Sequence, residues 1–318
     1  MQLLYTASSV YFHHHSTSCD FKTNESWIVL SPMEQRIKQK IEAVGTPLKE
    51  WDINIYRGIL TGYNEAFIID GKKKDELIAE DPKSAEIIRP ILNDKSIKKY
   101  RINFEEKYLI NSHNGDRKRN LLPVNLEKDY PTVYKHILKV ILKIEGGEIQ
   151  RKRGHTDKNK SFYDRTDKGI TPFNLRNCAY LEKFEFPKII WKQTSAEKTF
   201  AFDDKQYFLD VSGQMLTCQS NNIEILKYIL AFLNSKLLEF YVRIQATSFG
   251  SMGTRWIPQF IELLPIPLYK NTELIELVTK IINSEKENDI GMFEKKIDSL
   301  IYSIYGVSEE EIKFIESQ

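Results

Sequence analysis

Three clusters of cations carry the first chemical signal in this sequence: Lys98-Lys99-Tyr100-Arg101, Arg117-Lys118-Arg119 and Arg151-Lys152-Arg153. Each lies beside turn-forming residues, from which long side chains can reach a groove or a row of phosphates. Phosphate contact needs cations gathered on one face, whereas reading base edges needs forked donors and acceptors such as Arg, Asn and Gln. The stretch 151–178 supplies both, with Arg165, Asn174, Arg176 and Asn177 interleaved with Phe162, Tyr163 and Phe173. Taken singly, any of these clusters reads rather as a solvated loop. Three on one polarised chain bring nucleic acid level with that reading.

The wider charge distribution agrees. Net charge is only +2, but it is uneven along the chain. From Arg89 to Arg119 there are nine Lys and Arg against four Asp and Glu, and from Lys135 to Lys205 sixteen against ten. From Lys270 to Gln318 the balance reverses, six against eleven. A basic middle suits a phosphate backbone, and an acidic end suits a protein contact.

Signatures of catalysis are missing. There is no GxxxxGK[ST] loop for nucleotide phosphates, no HExxH and no GxSxG. No Asn-Pro-Pro-aromatic tetrapeptide or glycine-rich loop after a strand marks an S-adenosylmethionine site. Asp203 and Asp204 beside Lys205 invite a nuclease metal site, but no second acidic strand accompanies them, so a solvated turn is expected there. The run His13-His14-His15 cannot converge on a metal as residues four apart on a helix do. Cys19, Cys178 and Cys218 form no CxxC pair, which argues for a reducing compartment and against structural zinc. No apolar run approaches the ~20 residues that cross a bilayer, and no basic segment before an apolar stretch marks a signal peptide. A cytoplasmic protein with no membrane contact is expected.

The elements that position these residues are legible in part. The chain has 318 residues, 41% apolar and 28% charged, an ordinary globular composition. Ser31-Pro32-Met33-Glu34 places an N-cap, a proline at the first helical position and a capping-box glutamate, with Ile37 and Ile41 following at helical spacing. Strands are expected around 54–56, 66–70, 107–111, 186–191 and 206–218. Short helices are expected at 73–81 and 84–92, broken at Pro82. Pro131 opens a helix carrying Val133, Ile137, Val140, Ile141 and Ile144. The longest helix is expected over 222–243, and two or three amphipathic helices fill 271–318. Trp191 and Trp256 are expected in the core. The class is α+β, a mixed sheet with long amphipathic helices and a C-terminal helical tail, without the alternating βαβ series of a Rossmann fold.

Several local strings go further. Arg57-Gly-Ile-Leu-Thr-Gly-Tyr-Asn-Glu-Ala-Phe67 resembles a GIxTGxNxAF segment. Ile87-Ile-Arg-Pro-Ile-Leu-Asn-Asp-Lys-Ser-Ile-Lys-Lys-Tyr100 resembles a kPxLxGxdIkxY element, with Asn93-Asp94 in place of an Arg-Gly pair. Phe173-Asn-Leu-Arg-Asn-Cys-Ala-Tyr180, followed by Phe186-Pro-Lys-Ile-Ile-Trp191, is similar to a WxLRxcxY…F…PKIiw block, with Phe173-Asn174 where Trp-Glu is common. Leu233-Asn-Ser-Lys-Leu237, Leu264-Pro-Ile-Pro267 and Ile297-Asp-Ser-Leu-Ile-Tyr-Ser-Ile-Tyr-Gly306 complete the series. Six short motifs in order, from about residue 27 to 316, resemble the TaqI-like C-terminal specificity domain of Eco57I-type, type IIG restriction–modification enzymes and related adenine methyltransferases.

That resemblance implies a non-catalytic DNA target-recognition module. Its expected organisation is an irregular segment 1–30, a recognition domain 31–268 and a helical spacer or docking segment 269–318. Double-stranded DNA would be held and read by Arg57, Thr61, Asn64, Lys98, Lys99, Arg101, Arg117, Lys118, Arg119, Arg151, Lys152, Arg153, Arg165, Asn174, Arg176, Lys192, Gln193 and Arg255. Bases would be read in the major groove. A methyltransferase or endonuclease domain outside this chain would carry S-adenosylmethionine and Mg²⁺, and the C-terminal helices would dock it or form a homodimer. Two other classes stay open on sequence: a diverged nuclease or methyltransferase acting alone, and a non-catalytic module binding protein or RNA.

Overall fold

A computed structural model describes residues 30–93, 95–145, 162–164, 168–193, 198–246, 256–268 and 271–318. In chain order its elements begin with helix α1 (Pro32–Val44), β1 (Thr46–Pro47), β2 (Ile53–Arg57), α2 (Asn64–Phe67) and β3 (Ile68–Asp70). Next come α3 (Gly71–Glu80), β4 (Ile88–Leu92), β5 (Lys107–Ile110), α4 (Leu126–Asp129) and α5 (Pro131–Glu145). Strands β6 (Lys188–Lys192), β7 (Phe200–Asp203), β8 (Phe208–Leu209) and β9 (Gly213–Cys218) follow. The remainder is α6 (Ile223–Leu233), α7 (Lys236–Ala246), α8 (Pro258–Ile261), β10 (Pro265–Ile266), α9 (Thr272–Asn283), α10 (Glu287–Ile304) and α11 (Glu309–Glu316). The chain is α+β, as its patterning implies.

The chain divides into two compact units. One takes residues 52–193 and 199–226; the other takes the N-terminal 51 residues, 194–198 and 227–318. This division differs from the expected boundary at 268/269, because α1 and residues 227–268 group with the C-terminal helices.

The first unit is built on two four-stranded sheets, ordered β2-β9-β6-β7 and β3-β5-β4-β8. The former is antiparallel throughout, with Ile55 opposite Leu216 and Ile189 opposite both Leu216 and Phe202. The latter adds one parallel pairing, Ile91 to Phe208, which makes it mixed. Strands β6 and β9 are central, so nearly every residue in them is buried and alternation is lost. Val133, Ile137 and Ile141 of α5 join a core that includes Phe67, Leu109, Phe162 and Phe184. Fully burying each such side chain contributes about 1.5–3 kcal/mol.

Several expected elements take a different form. Residues 66–67 end a one-turn helix before β3. The segment expected as helix over 84–92 is a 3-10 turn followed by β4, because Ile88 pairs with Ile110 and Pro90 cannot donate within a helix. Strand 206–218 is split by a turn at 210–212 into β8 and β9. β7 stands where a solvated turn was expected around Asp203.

The second unit is mainly helical. The capping box at Ser31 is present, with Ser31 Oγ accepting from Glu34 N and Glu34 Oε2 from Ser31 N. Residues 222–243 are not one helix. α6 and α7 break at Asn234-Ser235, where Ser235 Oγ accepts from Leu238 N and Asp298 Oδ1 accepts from Lys236 N at 2.9 Å. The longest described helix is instead α10, with 18 residues. Tyr241 donates to Glu42, Tyr305 to the Pro265 carbonyl, and Lys40 pairs with Glu311 at 2.7 Å. Trp256 is buried, as expected.

Candidate nucleic-acid interface

The Arg117-Lys118-Arg119 cluster sits at the tip of a hairpin in the first unit. Asp116 and Leu121 exchange both backbone hydrogen bonds at 2.9 Å, and Asp116 Oδ1 accepts from Lys118 N. Gly115 has φ +77°, and a Cβ there would lie 2.5 Å from the Leu121 carbonyl oxygen. Only glycine fits that position. Lower down, Val124 N donates to the His113 carbonyl and closes the base of the hairpin.

Two asparagines lace the 168–177 loop onto this hairpin. Asn114 donates from Nδ2 to the Leu175 carbonyl at 2.8 Å and accepts from Ile170 N at 2.7 Å. Asn174 is 2% exposed and donates to the carbonyls of Ser112, His113 and Val124. Its Oδ1 accepts from the amide and hydroxyl of Thr171. Arg176 and Asn177 are thereby held, exposed, beside the hairpin. Arg117, Lys118, Asn120, Lys168 and Asn177 line one cleft of about 940 Å³.

Arg57 belongs to the same neighbourhood. Tyr180 donates to its carbonyl and stacks on Tyr56 with ring centroids 4.7 Å apart. Burial pushes the Tyr180 hydroxyl up to about 12, a rise that Arg57 and Arg176 oppose. Arg117, Lys118 and Lys168 thus share one cleft, and Arg57 and Arg176 both act on Tyr180. A second basic site hangs on β7. Lys98 and Arg101 exchange backbone hydrogen bonds, and Tyr100, buried at φ 63°, donates its N–H to the Phe200 carbonyl. That turn leaves Lys98 exposed and Lys99 and Arg101 half-buried.

Some expected contact residues are turned inward. Thr61 is buried and its hydroxyl bonds Oδ1 of Asn64, which is itself exposed. Asn174 faces inward, its amide donating to the hairpin carbonyls and its oxygen accepting from Thr171 of its own loop. Arg119 is exposed but paired with Glu185 at 3.3 Å. Lys192 and Gln193 are half-buried at the end of β6, where Gln193 accepts from Gln214. Arg151, Lys152, Arg153, Arg165 and Arg255 lie outside the described residues, as do Cys19 and the triple histidine.

Asp203 also changes meaning. It and Lys188 form a 2.6 Å ion pair with no side-chain exposure on either partner. Lys188 also donates to the Phe184 and Phe186 carbonyls, and Asp203 accepts from the amides of Lys205 and Tyr207. Burial lowers the lysine and raises the aspartate from their ordinary values. Both are structural. Among the described residues no group of three or more His, Cys, Asp or Glu is placed to hold a metal ion, and no helix is long and apolar enough to cross a membrane.

The reading of the sequence passed over Asn114, Asn120 and Lys168. Asn114 and Lys168 carry no local pattern that distinguishes them from solvated polar residues.

Comparison with known proteins assigns the chain to a family. A family model described as the TaqI-like C-terminal specificity domain matches residues 89–266, more than half of the chain. Among solved structures, the type IIL restriction-modification enzyme MmeI in complex with DNA is similar in fold: TM-score 0.53, 14% identity, 86% of this chain and 36% of that one. The type IIG restriction endonuclease BpuSI matches with TM-score 0.49 and 14% identity, over 87% of this chain and 34% of that one. This chain therefore spans about a third of the length of either enzyme. It belongs to the TaqI-like C-terminal specificity domain family, and target recognition on DNA is the role that membership gives it.

Proposed function

We propose that the chain is the non-catalytic specificity part of a restriction–modification enzyme. It holds duplex DNA through cations and reads bases in the major groove from the hairpin at 113–124 and the loop at 168–180. It presents an adenine to a methyltransferase or endonuclease domain supplied elsewhere, and S-adenosylmethionine and Mg²⁺ belong to that domain. Such a domain must take its target base out of the stack to reach it, so the recognition module has to fix register first. The acidic helices α9 to α11 dock that domain or a second copy of this chain, and the assembly works in the cytoplasm.

One observation carries the reading: Asn114 and Asn174 fasten a loop with an exposed arginine and asparagine to a hairpin with three cations. Forked donors and phosphate-binding cations then share one rigid support, as base readout requires. The experiment compares two substitutions across a panel of duplexes. Arg176→Ala is expected to relax preference at one base position, costing about 1–3 kcal/mol there, while Lys98→Ala weakens all duplexes alike. If both variants weaken every duplex uniformly, the division between reading and phosphate contact is wrong.

A further inference from the structure

The cleft beside the basic hairpin carries something that phosphate contact does not explain. Leu122 is 79% exposed, Ile170 is 67% exposed, and both line this cleft together with Leu121 and Pro123. Large aliphatic side chains left in water forfeit the stabilisation of burial. Ile170 is not on a loose loop either, since its amide is bonded to Asn114 Oδ1 at the root of the hairpin. Leu122 follows directly on the Asp116–Leu121 closure. Arg117, Lys118 and Lys168 stand on the same cleft. Whatever covers Leu122 and Ile170 must therefore be anionic at its edge and apolar within.

A base step of duplex DNA has that composition: stacked apolar faces flanked by two phosphate rows. An aliphatic wedge inserted between base pairs unstacks the step and kinks the duplex. We propose that Leu122, supported by Ile170, is a wedge that inserts into a base step and bends the bound DNA. Arg117, Lys118 and Lys168 would hold the phosphates on either side. The proposal rests on the DNA-recognition reading above and adds a deformation to it. The sequence preference of the module then includes the ease of unstacking one step, a form of readout that needs no hydrogen bond to a base.

The test uses the full 318-residue chain and short duplexes labelled at their two ends with a donor and an acceptor dye, drawn from a random pool retained by the chain at low salt. Binding of the unsubstituted chain is expected to raise energy transfer, because a kink brings the ends together. Leu122→Ala and Ile170→Ala, both at exposed positions that the fold does not need, are expected to bind within a few-fold of the unsubstituted chain but lose the rise. Leu122→Phe is expected to keep it. Arg117→Ala with Lys118→Ala should weaken binding and leave the rise unchanged at saturation. If the unsubstituted chain binds the duplexes and leaves them straight, or if Leu122→Ala bends them as well as it does, the wedge is refuted while DNA recognition stands. If no duplex is retained at all, the recognition reading fails first and the wedge falls with it. Loss of binding to an acidic protein partner in Leu122→Ala, with the DNA bend unchanged, would reassign the patch to a protein contact and refute the wedge.

Discussion

Asn174 shows how a residue type with base-reading chemistry can be put to structural use. Its amide donates to three backbone carbonyls and its oxygen accepts from Thr171, all with the side chain buried. Asn174→Ala would leave those carbonyls short of a donor, at a cost of about 1–3 kcal/mol. It should also loosen the loop that carries Arg176, so urea denaturation should show lower stability and binding selections lower sequence preference. Unchanged stability would contradict the role assigned to it. The sequence revealed that Arg176 and Arg117 are chemically able to meet DNA. It concealed that Asn174 faces inward, because the carbonyls it satisfies lie about fifty to sixty positions away, beyond the reach of local pattern.

At the scale of elements, the buried pair between β6 and β7 makes a sharp prediction. Asp203→Ala would strand the Lys188 ammonium in a site where burial already disfavours it, and is expected to destabilise by about 3–5 kcal/mol. Replacing both partners at once, Lys188→Met with Asp203→Leu, should recover most of that loss. A thermal or urea denaturation series reads both, and equal losses in the single and the double variant would show that the pair itself stabilises the sheet. The turn after β2 is similarly constrained. A Cβ on Gly58 would lie 1.7 Å from the Asp210 carbonyl oxygen, so Gly58→Ala should cost about 2–4 kcal/mol through displaced backbone. Elements set by local signals were legible: the capping box at Ser31 and the proline-led α5 are where periodicity put them. Elements decided at long range were not. The α6–α7 break depends on Asp298, far along the chain, and the 84–92 segment became β4 because β5 and β8 pair with it. The apolar run in β6 was visible as a strand; β7 beside it was hidden by the charges of Asp203 and Asp204.

Over the whole molecule, a net charge of +2 conceals opposed regions, and only the basic one is placed on the surfaces described here as suited to DNA. Binding should therefore weaken steeply with salt, and Lys98→Ala or Lys118→Ala should each reduce the log–log slope by about one. A slope unaffected by both would remove these lysines from the phosphate contacts. Stability should also depend on pH through two half-buried histidines. Burial lowers His113, helped by Arg119 and Arg89; burial likewise lowers His136, with Lys73 next. Unfolded histidine titrates at about 6.5, so the unfolded chain binds these protons first. The stability they provide is present above that value and is lost as pH falls through their depressed native values. The melting temperature should fall as pH drops below about 6.5, and less so in His113→Gln with His136→Gln; an identical pH profile in that variant would contradict the assignment.

The most direct test of DNA target recognition is a binding selection from random duplex DNA by the full chain, with and without a methyltransferase partner. A single enriched site of about five to seven base pairs is predicted, the span one module reads in the major groove. Enrichment of no motif under both conditions would contradict the account.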